Sequence, residues 1–272
     1  MKQPDVTMVE AMAELALAAG LAIMKHFGEA RATLKADGSP VTLADQEAED
    51  VILPGLERLF PGVPVVAEES AAAGIIPATG DDFLLVDPID GTKEFIAGRD
   101  EFTVNIGWVS KGVPVAGVIF APALNRLWFS GAQAETCEAS PGIAMVEVRN
   151  RRRINVRVPS RGGLVALASR SHLTAATEAF LAELPVSERR FAGSSLKFCM
   201  LAEGQADVFA HFGPTKEWDT CAGHAILLAA GGSIRRAEGG LFNYGKRDVE
   251  YLNPGFVAAG DLAAVEAMRR SG

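Results

Sequence analysis

Residues 83–92 read FLLVDPIDGT, an apolar run that ends in two aspartates three positions apart. The run looks like a buried strand, so its first carboxylate emerges at a C-terminal strand end, where open sheets place ligands. Asp-Pro and Asp-Gly are each ordinary turn formers. Together at a strand end they also press two like charges close, which raises their pKa values unless a cation sits between them. A divalent metal resolves that conflict, and hard Mg²⁺ takes oxygen ligands in an octahedral array. Ile89 can offer only its backbone carbonyl, which is another hard oxygen.

Three further segments carry carboxylates beside ordered elements. VVAEES (65–70) is a second apolar strand that runs into Glu68-Glu69. If that strand persists, the two glutamates point to opposite sides, and only one faces a shared site. EWDTCAGHAILLAAGG (217–232) puts Asp219 just before a helical run that stops at Gly231-Gly232, the place of an N-cap. Capping and metal binding are compatible, since one oxygen can serve each. In PVTLADQEAED (40–50), Thr42 or Asp45 caps the next helix, and Asp45 can also accept a proton relayed from a hydroxyl such as Thr92.

The rest of the chain is a framework for these segments. A helix is expected over 5–27, a turn-rich loop or hairpin at KADGSP, and a helix over 45–60. Strands follow at 63–67, 83–86, 102–109, 113–120 and 126–129, with Lys111-Gly112 as a hairpin turn. Residues 131–162 carry the basic cluster RNRRR (149–153) and mark an internal boundary, dividing the chain into halves 1–150 and 151–272. Beyond it come a strand (164–168), helices (174–184, 195–204), a strand (207–211), a helix (219–230), a strand (255–259) and a helix (261–270).

A net charge of −8 argues against nucleic acid as the partner. Cys137, Cys199 and Cys221 show no metal-ligand or disulfide spacing, which fits a reducing compartment. The N-terminus has no signal-peptide pattern and no transmembrane segment is read, so a cytoplasmic location is expected, with peripheral membrane association left open.

Taken together, the motifs resemble the lithium-sensitive, magnesium-dependent phosphomonoesterases of the inositol monophosphatase and bisphosphate nucleotidase family. Asp87-Pro88-Ile89-Asp90-Gly91-Thr92 matches one family motif, and Trp218-Asp219, eleven residues before Gly231-Gly232, matches the other. GTKEFI, EFTVNIG, GSSLKFC and FGPTKEWDT are similar to the CysQ-type 3′(2′),5′-bisphosphate nucleotidases, whereas inositol monophosphatases look like GTTNF at the first of these. The resemblance implies a layered αβαβα sandwich of two α+β or α/β halves. It implies two or three Mg²⁺ ions: one held by Glu68, Asp87 and the Ile89 carbonyl, a second by Asp87, Asp90 and Asp219. It further implies that Thr92, with Asp45 behind it, deprotonates the attacking water, and that the protein is a monomer or a homodimer.

The substrate implied is a small phosphate ester, adenosine 3′,5′-bisphosphate (PAP). Its reacting phosphate would meet the metals and the Gly91 and Thr92 amides. Ser194, Ser195 and Lys197 open a helix and are candidates for holding the second phosphate. Inositol-1-phosphatase, histidinol-phosphatase and fructose-1,6-bisphosphatase activities stay open within the family. A different class, an anion- or nucleic-acid-binding module, would use the basic stripe 149–157.

Overall fold

The structure is a computed structural model and describes residues 4–29, 32–35, 38–160, 162–171 and 173–271. Two helices open the chain, α1 (Val6–Met24) and α2 (Leu43–Leu59), with a short hairpin of β1 (Ala32–Leu34) and β2 (Pro40–Thr42) between them. Ala36 and Asp37, in the expected KADGSP turn, lie outside the described residues. By length and apolarity alone, α1 is able to cross a bilayer, but half of it is buried, on α2 and the large sheet.

Seven strands follow in one sheet: β3 (Val65–Ala67), β4 (Asp82–Asp90), β5 (Thr103–Ser110), β6 (Val113–Ala121), β7 (Arg126–Ser130), β8 (Ala134–Glu138) and β9 (Arg149–Arg153). They lie in sequence order, antiparallel except for the parallel pair β3–β4. Two five-residue helices, α3 (Glu68–Ala72) and α4 (Thr92–Ile96), start where β3 and β4 end. The remaining elements are β10 (Leu164–Ser169), α5 (Ala175–Ala182), β11 (Val186–Ala192), α6 (Leu196–Ala202), β12 (Val208–His211), α7 (Glu217–Ala229), β13 (Ser233–Arg236), β14 (Phe256–Ala259) and α8 (Leu262–Ser271). Their strands form a second sheet of order β11-β10-β12-β14-β13.

The layers run α1/α2, large sheet, α6/α7, small sheet, α5/α8. Side-chain alternation builds them. On β4, Leu84 and Val86 face the α1/α2 core, while Phe83 and Leu85 face the central layer. On β10, Val165 and Leu167 face that layer, and Leu164 and Ala166 face α5 and α8. Helix α7 rests directly on β5 and β6: a Cβ at Gly107 would fall 2.5 Å from Cys221 Sγ, and one at Gly117 2.3 Å from the Ala222 carbonyl. This contact brings Asp219 over the end of β4.

The basic cluster differs from a solvated loop. RNRRR is the exposed edge strand β9, paired with β8. Charged side chains on an edge strand discourage pairing with other chains. Arg151 binds Glu135 at 2.7 Å and Glu10 at 2.5 Å, and Arg157 binds Asp207 through two nitrogens, so part of the stripe's charge is neutralised locally. Strands β8, β11 and β13 fall where no strand is expected from sequence.

Candidate active site

In a regular strand, residues three apart face opposite sides. Asp87 and Asp90 escape this rule through a bulge. Asp87 pairs with Asn105 and Asp90 with Thr103, so β4 advances three residues while β5 advances two. Pro88, which has no N–H to give the ladder, sits inside the irregularity. The extra residue returns both aspartates to one side. Gly91 then takes φ +96°, and a Cβ there would approach the Glu101 carbonyl at 3.1 Å. That turn starts α4 and presents Thr92.

Glu68 enters from the end of β3. The strand stops at Ala67, and Glu68 is the first residue of α3, so the expected opposition of Glu68 and Glu69 does not arise. Both carboxylates instead meet Lys35 Nζ, each at 2.7 Å. Burial alone would lower the Lys35 pKa, but the two glutamates hold it above its ordinary value. Burial pushes Glu69 up to about 7. Lys35 carries no signal in the sequence, since its turn-rich surroundings resemble any surface hairpin.

Asp219 is the third residue of α7. Lys216, not Asp219, is the N-cap, and the Lys216 amide donates to Asp219 Oδ2 at 2.8 Å. Asp45 repeats the arrangement on α2, whose N-cap is Thr42: the Thr42 amide and hydroxyl both donate to Asp45 Oδ2 at 2.7 Å. Each aspartate thus spends one oxygen on its own helix start.

Oxygens of Glu68, Asp87 and Asp219 lie within 4.8 Å of one another. Burial, and then the charges of Glu68, Asp90 and Asp219, hold Asp87 well above the usual carboxylate range. Asp219 is raised likewise, by burial first and then by Asp90 and Glu68. Asp87 Oδ1 is buried with no hydrogen-bond partner among the described residues. An orphaned carboxyl oxygen inside an all-oxygen cluster suits a hard divalent cation. Asp90 stands beside this group and is held differently: Ser194 Oγ donates to its Oδ2 at 2.8 Å and Asn105 Nδ2 at 3.4 Å. Burial raises its pKa, and Lys197 opposes that rise.

These residues line a cavity of about 290 Å³, whose walls include Glu68, Asp87, Ile89, Asp90, Gly91, Thr92, Ser194, Lys197 and Asp219. Thr92 Oγ1 is 3.1 Å from the Ile89 carbonyl and 3.3 Å from Asp45 Oδ1, which lies behind it. Aromatic rings of Phe198, Phe209 and Phe256, with His211, form the wall contributed by the small sheet and α6.

Of the three expected contacts to a second phosphate, Ser194 and Lys197 line the cavity and Ser195 does not. Ser195 does not reach the cavity: it is buried, its hydroxyl donates to Asn105 Oδ1 at 2.8 Å, and it meets Thr103 Oγ1 at 2.8 Å. Lys197 reaches the cavity wall, but its ammonium donates to the carbonyls of Ala192 and Ser194. Ser194 takes φ +54°, a strained conformation for serine, and such strain gathers at functional sites. Sequence reading missed Asn105, Thr103 and Glu94; Glu94 lines the cavity and accepts from Ser171, just past β10.

The profile of the inositol monophosphatase family matches residues 5–270. The chain belongs to that family. A 3′(2′),5′-bisphosphate nucleotidase CysQ of Escherichia coli O157:H7 is 41% identical over 252 residues, 92% of this chain and 98% of that protein. One from Buchnera aphidicola is 37% identical and covers 93% of each chain. Among solved structures, the crystal structure of CysQ from Bacteroides thetaiotaomicron aligns with TM-score 0.77 at 38% identity, covering 92% of this chain and 96% of that one. An IMPase of Thermotoga maritima aligns with TM-score 0.75 at 25% identity, over 95% of both chains. Enzymes of the inositol monophosphatase family are metal-dependent, and the acidic cluster on α3, β4 and α7 is where this member has the donors for a metal.

Proposed function

We propose that this chain hydrolyses adenosine 3′,5′-bisphosphate to AMP and phosphate, by attack of water in a Mg²⁺-loaded site. The carrying observation is the convergence of Glu68, Asp87 and Asp219, from three separate segments, around an unpartnered buried oxygen. The choice of substrate is supported by similarity to proteins named 3′(2′),5′-bisphosphate nucleotidase. Glu68, Asp87 and the Ile89 carbonyl would hold one cation, and Asp87, Asp90 and Asp219 another. When bound, such cations lower the pKa of water and neutralise charge on the phosphate and the leaving oxygen.

The chain's own residues supply the proton path. Thr92 Oγ1 accepts a proton from water while passing its own to Asp45 Oδ1, 3.3 Å away. Burial raises the Asp45 pKa, which makes that carboxylate a more willing acceptor. Gly91 and Thr92 amides, at the left-handed turn, would meet the reacting phosphate. Lys197 and the Ser194 turn stand at the wall where a second phosphate would lie. No covalent enzyme intermediate is required, because positioning and charge neutralisation suffice for this transfer. A cytoplasmic setting fits the three buried, unpaired cysteines, and a homodimer is open to light scattering.

Phosphate release from adenosine 3′,5′-bisphosphate beside inositol-1-phosphate tests the reading. The bisphosphate should be preferred, Mg²⁺ should be required, and Li⁺ should inhibit. Lys197→Ala should raise KM for the bisphosphate more than for a sugar monophosphate. Equal use of inositol-1-phosphate would overturn the substrate, and equal KM effects would remove Lys197 from the second phosphate.

A further inference from the structure

Glu49 is a buried carboxylate with no part in the chemistry above. Among the described residues its hydrogen-bond partners are on α3. Glu49 Oε2 accepts from the Glu69 amide at 3.0 Å, and Oε1 accepts from the Ser70 amide at 2.9 Å and from the Ser70 hydroxyl. A five-residue helix does not hold itself in water, because nucleation costs more than so few bonds return. Its first amides also lack intrahelical acceptors. Glu49 supplies both needs at once, with an anion at the positive end of the turn.

The placement on α2 gives this contact a purpose. Asp45 and Glu49 are four residues apart and share one helix face. Asp45 holds the Thr92 turn through Thr92 Oγ1, and Glu49 holds the turn that begins with Glu68. One face of α2 therefore fixes two walls of the acidic cavity. Lys35 pulls Glu68 and Glu69 toward the same ammonium, and Glu49 fixes the backbone from which both side chains depart. Without Glu49 the amides of residues 69 and 70 would need water or a different turn, and the Glu68 carboxylate would leave Asp87 and Asp219.

We infer that Glu49 is a positioning residue that sets divalent-cation affinity by orienting Glu68. The inference rests on the metal-cage reading above. A carboxamide at 49 keeps the shape but turns an N–H donor toward one of the two backbone amides, so Glu49→Gln breaks half of the clamp. Partners that orient metal ligands typically change affinity roughly 10- to 100-fold when lost.

The test is Mn²⁺ binding to the metal-free protein by calorimetry, without substrate, for wild type, Glu49→Gln, Glu68→Gln and the double variant. Glu49→Gln should weaken binding by roughly 10-fold or more. In the Glu68→Gln background the same change should have no further effect, because the residue it acts through is already disabled. A general loss of folding would lower affinity in both backgrounds, so additive losses overturn the inference. So does unchanged affinity in Glu49→Gln. A wild-type protein that binds no Mn²⁺ overturns the metal-cage reading itself, a distinct failure.

Discussion

Ser194 donates its hydroxyl to Asp90 Oδ2 at 2.8 Å, across a sequence separation of 104 residues. The bond ties the segment between β11 and α6 to the DPIDGT turn. Asn105 completes the bridge: its oxygen accepts from Ser195 and its nitrogen donates to Asp90. Both bonds to the aspartate end on its Oδ2.

Removing that hydroxyl should therefore loosen Asp90. Ser194→Ala is expected to raise the Mg²⁺ concentration for half-maximal activity by roughly 10- to 100-fold. Ser194→Gly relieves the φ of +54° but also lacks the hydroxyl. The two variants should share the loss of metal affinity, and glycine should melt at the higher temperature. A titration of activity against Mg²⁺, with a melt of each variant, separates the effects.

Like charges that serve catalysis cost stability in the metal-free protein. Asp87 is buried beside Glu68, Asp90 and Asp219, and its pKa is raised well above the ordinary value. Asp87→Asn should make the metal-free protein more stable at neutral pH, by about 1 kcal/mol or more. The same variant should lose phosphatase activity. Urea unfolding in EDTA reads the first effect and phosphate release the second.

The proton path through Thr92 predicts a clean contrast. Thr92→Val removes the relay and should lower kcat by roughly 10²- to 10⁴-fold with little change in KM. Thr92→Ser keeps a hydroxyl within reach of Asp45 and should retain most of the rate. Steady-state kinetics at saturating Mg²⁺ measures both.

His224 offers a pH test away from the cavity. It is buried on α7 against Tyr244, 3.1 Å from that hydroxyl, and burial lowers its pKa to about 3. The unfolded chain would take up a proton near the ordinary value of 6.5, while the folded chain stays neutral. Unfolding thus binds a proton between these values, and His224 makes the fold less stable as pH falls from 6.5 toward 3. The slope from this group is at most about 1.4 kcal/mol per pH unit. His224→Gln should flatten the fall in melting temperature over that window.

Much of this architecture was legible where local pattern and burial agree. The DPIDGT turn, α1, α2, α7 and the central strands β4 to β6 are apolar at the period of their element and end at Gly, Pro or Asp. Edge strands β9 and β11, read as RNRRR and VSERRFA, were not legible, because they are largely exposed and owe their shape to a neighbour's backbone. Helices α3 and α4 are too short to show a period. Within the site, the motif named the carboxylates but not the bulge that turns Asp87 and Asp90 to one side. Lys35, Asn105 and Glu49 act through contacts distant in sequence, for which spacing gives no sign.

The most direct measurement is an anomalous difference map from crystals grown with Mn²⁺. Strong peaks bounded by carboxylate oxygens of Glu68, Asp87 and Asp219, with Lys35 displaced from Glu68, are the predicted result. A featureless map there, with Lys35 still bridging Glu68 and Glu69 at saturating Mn²⁺, would contradict the account.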